Sequence, residues 1–521
     1  MSEPEWWRGA VVYQVYVRSF FDSNGDGQGD LPGVLAKLDY IASLGVDAIW
    51  LSPIHPSPNR DWGYDIADYE GVQHDYGTTE DLEALIAAAH DKGIRILLDE
   101  VLAHTSDEHA WFKESRAGGE KADWYVWAEP QLDGTAPNNW LSVFGGPAWS
   151  YQPDRRAHYH HKFLRQQPKL NWRNPDAREA ALKVLDLWLG RGVDGFRLDV
   201  ANAYLHDDTL TDNPAVPLAE RTSHHWADAG NLQRRLHDAN LPENIECLDQ
   251  IRRRVDAFEG RFVFGEFSEE AERAGGFAAS DEGLHAGYSF PLLIARRLGP
   301  EFITRHFAGL ARHPGHWPCI SFSNHDVTRT VSRFGDGGAN PALAKLMLAL
   351  LFSLRGTALI YQGEELGLPE ADLTREQLRD PVGDLYYPVH KGRDGCRTPM
   401  PWEADAPHLG FSTDTPWLPA AKEHAGLTAD AQNTDPDSVL NFARRLIAVR
   451  QDSPPLKWGE IEFLDAPAPI LAFRRTWQDE TVVCAFNMSG APAAWLDPPA
   501  DADAGTEGLK LNPYGGWLSG G

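Results

Sequence analysis

Strand-like and helix-like segments take turns along most of this chain, and this alternation constrains the fold more than any other feature. The strand-like segments are short and rich in Val, Ile and Phe, whereas segments such as 31–44 and 78–92 carry apolar residues at helical spacing. Including a weaker candidate at 286–290, eight strands are predicted; the others lie in 11–20, 47–53, 94–101, 193–199, 262–266, 320–326 and 357–362. The pattern predicts an α/β fold, a (β/α)8 TIM barrel, whose reactive groups gather where the strands end.

Three carboxylates lie where predicted strands end: Asp199, Glu266 and Asp326. Because parallel strands of a barrel end at one rim, we expect these acids to lie close together. Carboxyl groups delivered to one rim are what glycosidic bond cleavage requires. The alternative for any single acid is that it caps the following helix.

Composition excludes several classes of partner. The 521 residues contain 48 Lys plus Arg against 76 Asp plus Glu, and the formal charge of −28 opposes binding to nucleic acid or to an anionic membrane. No apolar run is long enough to span a bilayer, and no targeting segment is evident. The four cysteines follow no metal or disulfide spacing. We therefore expect a cytoplasmic monomer or homodimer.

Two stretches interrupt the alternation. Residues 103–172 are rich in Trp, Gly, Pro and His without helical period, which indicates an inserted domain after the third strand. Residues 456–521 contain alternating segments typical of a small antiparallel β domain. The predicted barrel then comprises residues 1–102 and 173–455.

Four short motifs carry a family resemblance. In order along the chain they resemble the motifs of the α-amylase superfamily, glycoside hydrolase family 13, and further segments resemble its α-glucosidase and oligo-1,6-glucosidase branch. The four motifs are Asp99-Glu-Val-Leu-Ala-His104, Gly195-Phe-Arg-Leu-Asp199, Gly265-Glu266 and Ser323-Asn-His-Asp326; the branch motifs occupy 61–65, 167–171, 361–367 and 393–402.

The resemblance, together with the chemistry of a retaining mechanism, assigns roles to the acids. Asp199 is predicted to be the nucleophile, held ionised by Arg197 two residues earlier on the same strand face. Glu266 is predicted to be the acid/base, because burial among Phe residues would raise its pKa. By resemblance, Asp326 grips ring hydroxyls and stabilises the transition state. Glu100, in an otherwise apolar strand, has no role in this scheme.

The resemblance also implies a sugar pocket around these acids. His104 and His325 correspond to hydroxyl-binding histidines, Tyr64 to a stacking platform, and Phe144 to a wall residue from the inserted domain. Residues at the positions of Asp61 and Arg397 pair beyond the non-reducing glucose in this branch and close the site. We therefore predict removal of single terminal glucose units; the alternative for the pair is a surface salt bridge.

A metal site is predicted separately at residues 22–30. Hard oxygen ligands alternate there with small residues, which suits Ca²⁺ and, less well, Mg²⁺. The ligands would be Asp22, Asn24, Asp26 and Asp30 through side chains and Gln28 through its carbonyl, in a structural role. An unmetallated turn is the alternative. A second Ca²⁺ known in α-amylases is not expected, because its ligand positions hold Ala103 and Lys169 here.

Linkage preference rests on the residue after the nucleophile. In the family branch Val at this position accompanies α-1,6 preference, so Val200 points that way, whereas the wider motif set resembles enzymes acting on short α-1,4 substrates. We predict an α-glucosidase for short oligosaccharides with mixed linkage tolerance and transglucosylation. The alternatives are a sucrose isomerase or trehalose synthase and, in another class, a non-catalytic superfamily protein that binds partners.

Overall fold

The structure is a computed structural model that describes residues 4–221, 232–268, 271–279, 282–313, 315–502 and 508–519. Its centre is an eight-stranded sheet in which every pair of neighbours is parallel. The strands are β1 (Val11–Val15), β2 (Ala48–Leu51), β3 (Arg95–Glu100), β4 (Gly195–Leu198), β5 (Phe262–Phe267), β6 (Ala286–Ser289), β7 (Cys319–Ile320) and β8 (Thr357–Tyr361).

The strands follow one another around a nearly closed barrel. Strands β1 to β6 pair in sequence order, β7 pairs with β8, and β8 returns to pair with β1. A single parallel bridge between Gly287 and Pro318 joins β6 to the start of β7. This arrangement confirms the predicted (β/α)8 barrel and places all strand ends at one rim.

The barrel has an interior core of its own. Alternate strand residues point inward and form one cluster that includes Trp50 from β2, Leu97 from β3, Phe264 from β5 and Leu359 from β8. The intervening residues pack against the surrounding helices in a larger cluster. Since apolar side chains fill the barrel, polar chemistry is confined to its carboxyl rim.

Helices surround the barrel, and local signals explain where several begin. Thr78 and Asp81 form a capping box at the start of one helix, and Asn174 caps another that has Pro175 at its first position. The helices are Leu31–Ala36, Leu38–Leu44, Thr79–Asp91, Ala110–Arg116, Pro175–Gly190, Asn244–Asp256, Ala271–Gly276, Phe290–Ile294, Pro300–Leu310, Thr330–Phe334, Pro341–Ser353, Pro381–Tyr386, Ala429–Thr434, Val439–Asp452 and Pro454–Trp458.

Some predicted elements differ from those observed. The first strand ends at Val15, because a 3-10 turn at Val17–Ser19 replaces its second half. The predicted helix over 31–44 is two helices interrupted at Lys37. The seventh strand ends at Ile320, so Asp326 lies in an irregular segment six residues further on. The segment 103–172 contains the helix Ala110–Arg116, which its composition did not indicate.

Further strands lie outside the barrel, among them the short antiparallel pair Ala278–Ala279 and Glu282–Gly283. Trp127–Ala128, Trp149–Gln152 and Ala157–His160 form a small antiparallel sheet between β3 and β4. Near the carboxyl terminus, Glu460–Leu464, Ile470–Trp477, Glu480–Asn487 and Gly516–Leu518 form an antiparallel sheet, and Ala493–Trp495 pairs with Leu509–Leu511. The division into domains at residues 102, 172 and 455 stays a prediction.

Within the described ranges, no helix is both long enough and apolar enough to cross a membrane.

Candidate active site

A cavity of about 440 Å³ opens at the carboxyl rim of the barrel. All three predicted acids line it, so the structure brings them together as the barrel requires. Among the other predicted site residues, Asp61, Tyr64, His104, Phe144 and Val200 also line the cavity, whereas Arg197, His325 and Arg397 are fully buried beside them.

Arg197 is the centre of a cluster of carboxylates. Its Nη1 lies 2.7 Å from Asp99 Oδ1 and 2.9 Å from Asp199 Oδ1. Its Nη2 lies 2.8 Å from Glu266 Oε2. The hydroxyl of Tyr288 accepts a 3.0 Å hydrogen bond from this same nitrogen and donates a 3.2 Å bond to Glu266 Oε1. One guanidinium therefore holds Asp199 and Glu266 side by side.

Strands β4 and β5 deliver these two acids because they approach closely at their start. Gly195, the first residue of β4, pairs with Phe262, the first residue of β5. A Cβ at Gly195 would lie 1.8 Å from the carbonyl oxygen of Phe262, and the φ angle of Gly195 is +153°. Only glycine tolerates this combination, so the register that aligns Asp199 with Glu266 depends on it.

Val200 follows Asp199 in a strained conformation. Its φ angle is 44°, a left-handed value that a β-branched residue rarely adopts. In this conformation the backbone N–H of Val200 donates a 3.2 Å bond to Glu266 Oε2, and that of Ala201 donates a 2.9 Å bond to the carbonyl oxygen of Glu266. Strain of this kind occurs at functional sites, where the surroundings determine the backbone. Here it fixes the turn after Asp199 onto Glu266.

Two of the acids around Arg197 bind a proton more readily than an isolated carboxyl group. Burial raises the pKa of Asp99 to about 6, although Arg197 opposes the shift. Burial likewise raises the pKa of Asp199 well above its usual value; Arg197 opposes this shift as well, while the charges of Glu266, Asp99 and Asp326 add to it. One guanidinium therefore does not offset burial for Asp99 and Asp199.

Asp326, by contrast, is held ionised. Its Oδ1 lies 2.7 Å from Arg397 Nη2 and 3.1 Å from Arg393 Nη1, and its Oδ2 lies 3.4 Å from His325 Nε2. Although burial acts in the opposite direction, His325 and the two arginines hold the pKa of Asp326 well below its usual value. The cavity therefore contains a permanent negative charge at this point.

The predicted ion pair between Asp61 and Arg397 is replaced by a different one. Arg397 is fully buried, and its Nε donates a 2.7 Å bond to the carbonyl oxygen of His325 while its Nη2 binds Asp326. Asp61 pairs instead with Arg393, with 2.6 Å between Oδ1 and Nη2. The physical reason is that a 3-10 turn, Asp394–Cys396, separates the two arginines, so that Arg393 lines the cavity and Arg397 supports it from behind.

Sequence reasoning missed Arg393 and its third partner, Asp380. The Arg393 side chain lies 2.7 Å from Asp380 Oδ1, in addition to its contacts with Asp61 and Asp326. Arg393 and Asp380 also meet through the Arg393 backbone N–H, at 2.6 Å from Asp380 Oδ2. The available signal was that the segment 393–402 contains two arginines, the first of which, Arg393, lies four residues before Arg397.

Tyr64 and two histidines form the polar floor of the cavity. The Tyr64 hydroxyl donates a 3.0 Å bond to Asp99 Oδ2, and its ring stacks on His325 with centroids 5.3 Å apart. The carbonyl oxygen of Tyr64 accepts a 3.0 Å bond from His104 Nε2. Gln14 donates to His325 Nδ1 at 2.7 Å, which leaves the proton of that ring on Nε2. Burial lowers the pKa of His104 to about 4 and that of His325 to about 3, so both rings are neutral donors.

One wall of the cavity is mainly apolar. Phe144 lies here as predicted, with its ring centroid 5.6 Å from that of Phe163 and the Arg393 guanidinium 5.3 Å from its ring. The Tyr386 hydroxyl donates a 3.1 Å bond to the carbonyl oxygen of Phe144 and so joins two segments at this wall. Sequence reasoning did not identify the other apolar lining residues, Val143, Phe163, Phe290 and Ile294.

The side-chain oxygens of the predicted metal loop do not surround a common point. Asp22 Oδ1 accepts bonds from the backbone of Asn24 and Gly25, and Asp26 Oδ1 accepts one from Gln28. Asp30 caps the helix Leu31–Ala36, and burial raises its pKa, with a smaller contribution from the charge of Asp22. No described Lys, Arg or His pairs with these acids. Equally, the described chain has no group of three acidic, His or Cys side chains arranged around a metal position.

Lys169 occupies a position at which the sequence resemblance implies a metal ligand in α-amylases. The Lys169 ammonium is buried and donates to the carbonyl oxygen of Ala203. Burial lowers the pKa of Lys169 to about 7. Ala103, also buried, offers no side-chain ligand.

Comparison with known proteins identifies a family. The description "Alpha amylase, catalytic domain" matches residues 14–459. A probable α-glucosidase of Rhizobium meliloti (strain 1021) is 50% identical over 505 residues, which cover 95% of this chain and 91% of that protein. The oligo-1,6-glucosidase of Halalkalibacterium halodurans is 36% identical, and the aligned region covers 98% of this chain and 95% of that protein.

A solved structure agrees over the whole chain. The α-glucosyl transfer enzyme XgtA superposes with a TM-score of 0.96 at 44% identity, covering 99% of each chain.

Proposed function

The chain belongs to the α-amylase catalytic-domain family and is a glycoside hydrolase of the α-glucosidase type, and on this premise we propose how its site acts. The proposed reaction is release of terminal, non-reducing α-glucose from short oligosaccharides with retention of configuration. The observation that carries it is the pairing of Asp199 and Glu266 on the two terminal nitrogens of Arg197. Retaining enzymes need two carboxyl groups about 5–5.5 Å apart, and one guanidinium can hold them at that range.

In the first step the Asp199 carboxylate attacks the anomeric carbon of the bound glucose. The bond from this carbon to the glycosidic oxygen breaks, and Glu266 transfers its proton to that oxygen. Arg197 stabilises the carboxylate form of Asp199 before attack.

In the second step Glu266, now ionised, removes a proton from water. The oxygen of this water attacks the anomeric carbon and displaces Asp199, which regenerates both acids and gives α-glucose. A sugar hydroxyl in place of water gives transfer, and similarity to an enzyme described as an α-glucosyl transfer enzyme supports this branch.

Exo action is supported by the end of the cavity. Arg393 bridges Asp61 and Asp326, and these charged groups suit the outer hydroxyls of a terminal glucose. Asp326 would grip ring hydroxyls through its oxygens, and the neutral His104 would lie beside them in the pocket.

Linkage tolerance and metal binding stay proposals. Val200 lines the cavity beside Asp199, where its side chain meets the leaving group, and both α-1,4 and α-1,6 links are proposed substrates. We also propose one structural Ca²⁺ at residues 22–30, supported by three acidic side chains without a described cation among them. A cytoplasmic location is supported by four free, buried cysteines.

Products and their anomeric form, followed by NMR from maltose and from isomaltose, test the proposed function. We expect α-glucose as the first product, together with transfer products at high substrate concentration. Release of β-glucose would overturn retention, and exclusive formation of a new disaccharide from sucrose or trehalose would favour the isomerase alternative.

A further inference from the structure

Glu100 is a fully buried acid at the end of β3. Its neighbour Asp99 points into the barrel and binds Arg197, so Glu100 points to the opposite face of the sheet. There its Oε1 lies 3.0 Å from Nε2 of His55, whose side chain is equally buried. The charge that is unexplained at the level of sequence therefore has one specific partner.

His55 uses both nitrogens of its ring. Nδ1 lies 3.1 Å from the carbonyl oxygen of Gly71, and because a carbonyl only accepts, Nδ1 carries a proton. Burial lowers the pKa of His55, but the charge of Glu100 and the hydrogen bonds to Glu100 and Gly71 outweigh burial and raise it. The ring thus connects the end of β3 to Gly71 through both of its nitrogens.

These contacts lie at the neck of the β2 loop, residues 52–73, which begins directly after β2. His55 stands near its start and Gly71 near its end, and the backbone of Gln73 donates a 2.7 Å bond to the carbonyl oxygen of Ile54 beside them. The middle of the loop carries Asp61 and Tyr64, both lining the cavity.

The middle of the loop is internally braced. The carboxylate of Asp65 accepts backbone bonds from Arg60 at 2.9 Å and Asp61 at 3.0 Å, and a 2.8 Å bond from the Ser57 hydroxyl. A braced loop moves as a unit, so the contact at its neck sets the position of both cavity residues.

Glu100 is also connected to the nucleophile candidate through its backbone. Its carbonyl oxygen accepts a 3.0 Å bond from the N–H of Asp199. The same residue therefore contacts Asp199 with its main chain and the β2 loop with its side chain.

Stability alone does not account for a pair of this kind. Desolvation offsets most of the attraction in a buried ion pair, and apolar side chains of similar size often stabilise a fold as well or better. Apolar contacts, however, do not fix direction, whereas two hydrogen bonds from one flat ring do.

We propose that His55 and Glu100 are positioning residues, which hold the β2 loop so that Asp61 and Tyr64 stand at the correct distance from Asp199. The proposal rests on the proposed α-glucosidase function for its kinetic readout, but its structural readout is independent of activity.

The test compares three variants with wild type. E100Q keeps both hydrogen bonds without the charge, H55F/E100L replaces the pair by apolar side chains, and H90F is the matched control. His90 makes a similar 2.7 Å contact with Asp194 just before β4, at the opposite end of the barrel.

For H55F/E100L we expect kcat/KM on p-nitrophenyl α-glucoside to fall about 10- to 100-fold, because small misplacements of binding groups have effects of this size. Affinity for 1-deoxynojirimycin, a probe of the glucose site, should fall in parallel while Tm stays near that of wild type. E100Q and H90F should keep both values within about threefold, since neither changes the hydrogen bonds at the loop neck.

Hydrogen exchange of residues 52–73 gives the second readout. We expect faster exchange in H55F/E100L and wild-type exchange in E100Q. Wild-type kinetics, inhibitor affinity and exchange in H55F/E100L would overturn the positioning role. If wild type cleaves no α-glucoside, the proposed function fails, whereas the exchange comparison still decides the role of the pair.

Discussion

Asp61 and Arg393 form an ion pair with 2.6 Å between Oδ1 and Nη2, and Arg393 extends from this contact to Asp326 and Asp380. Three acids that are distant in sequence thus share one guanidinium, which lines the cavity.

The first prediction concerns this arginine. Arg393→Lys should raise KM for maltose about 10- to 100-fold with a smaller effect on kcat, because one ammonium cannot replace a forked donor that bridges several carboxylates. Arg375→Lys is the control, since Arg375 lies outside the cavity, pairs with the exposed Asp384 at 3.7 Å and lies over the Tyr387 ring. If Arg397→Lys had a large effect and Arg393→Lys had none, the results would favour the pairing of Asp61 with Arg397 that was expected from sequence.

The second prediction separates the two catalytic acids. Glu266→Gln should lower kcat/KM on maltose about 10²- to 10⁴-fold, and less on p-nitrophenyl α-glucoside, whose leaving group needs no proton. Asp199→Asn should abolish activity on both substrates, because an amide cannot replace the carboxylate that attacks the anomeric carbon. Steady-state kinetics on both substrates decide; equal losses for Glu266→Gln would remove the proton-donor role.

The third prediction uses the residue after the nucleophile. Val200→Thr should change the ratio of kcat/KM for maltose over isomaltose by about 5- to 150-fold, the range that one small group in a pocket can supply. Val200→Gly should keep the backbone bond to Glu266, because glycine adopts the φ of 44° without strain. A ratio unchanged by Val200→Thr would remove this side chain from linkage selection.

The fourth prediction concerns stability against acid. Burial lowers the pKa of His104, His161, His306 and His316 to about 4, below the ordinary value of about 6.5. Between these values the unfolded chain binds more protons than the folded one, so stability falls as pH falls. Burial raises the pKa of Asp65 and Asp99 to about 6 and that of Glu370 to about 7, so these acids act in the opposite direction, but they are fewer than the four histidines.

Thermal unfolding followed from pH 7.5 to 4.5 checks this prediction. We expect Tm to decrease steadily below about pH 6.5, where the unfolded histidines begin to bind protons. A Tm that rises towards pH 5 would show that the buried carboxyl groups dominate.

The fifth prediction concerns the loop 22–30. Removal of metal with a chelator should lower Tm without changing kcat, and added Ca²⁺ should restore it, because binding to the folded state alone stabilises it. Asp22→Ala should remove this response. Metal analysis should find one tightly bound ion per chain. Two bound ions would contradict the expectation that Lys169 prevents binding of a second ion.

The barrel and its three acids were predictable because strand ends of a parallel barrel converge whatever the helices between them do. This rule predicts the positions of Asp199 and Glu266, because these acids lie at the ends of β4 and β5. Asp326 illustrates its limit, since β7 ends at Ile320 and irregular backbone carries the acid to the rim.

The sequence does not show which of several charged residues form an ion pair. Arg393 and Arg397 are separated by one 3-10 turn, and which of them reaches Asp61 depends on the path of the backbone between them. The environment of Glu100 was equally hidden, because its partner His55 lies 45 residues earlier. Sequence identifies which charges are present; distances across the fold decide how they pair.

The contacts of Arg393 with three acids beside the cavity also bear on engineering. Asp61, Asp326 and Asp380 come from three different connections that follow β2, β7 and β8. Grafting any one of these connections from a relative would leave Arg393 with a mismatched set of charges. Loop exchange intended to alter specificity should therefore transfer the three connections together with the segment that carries Arg393.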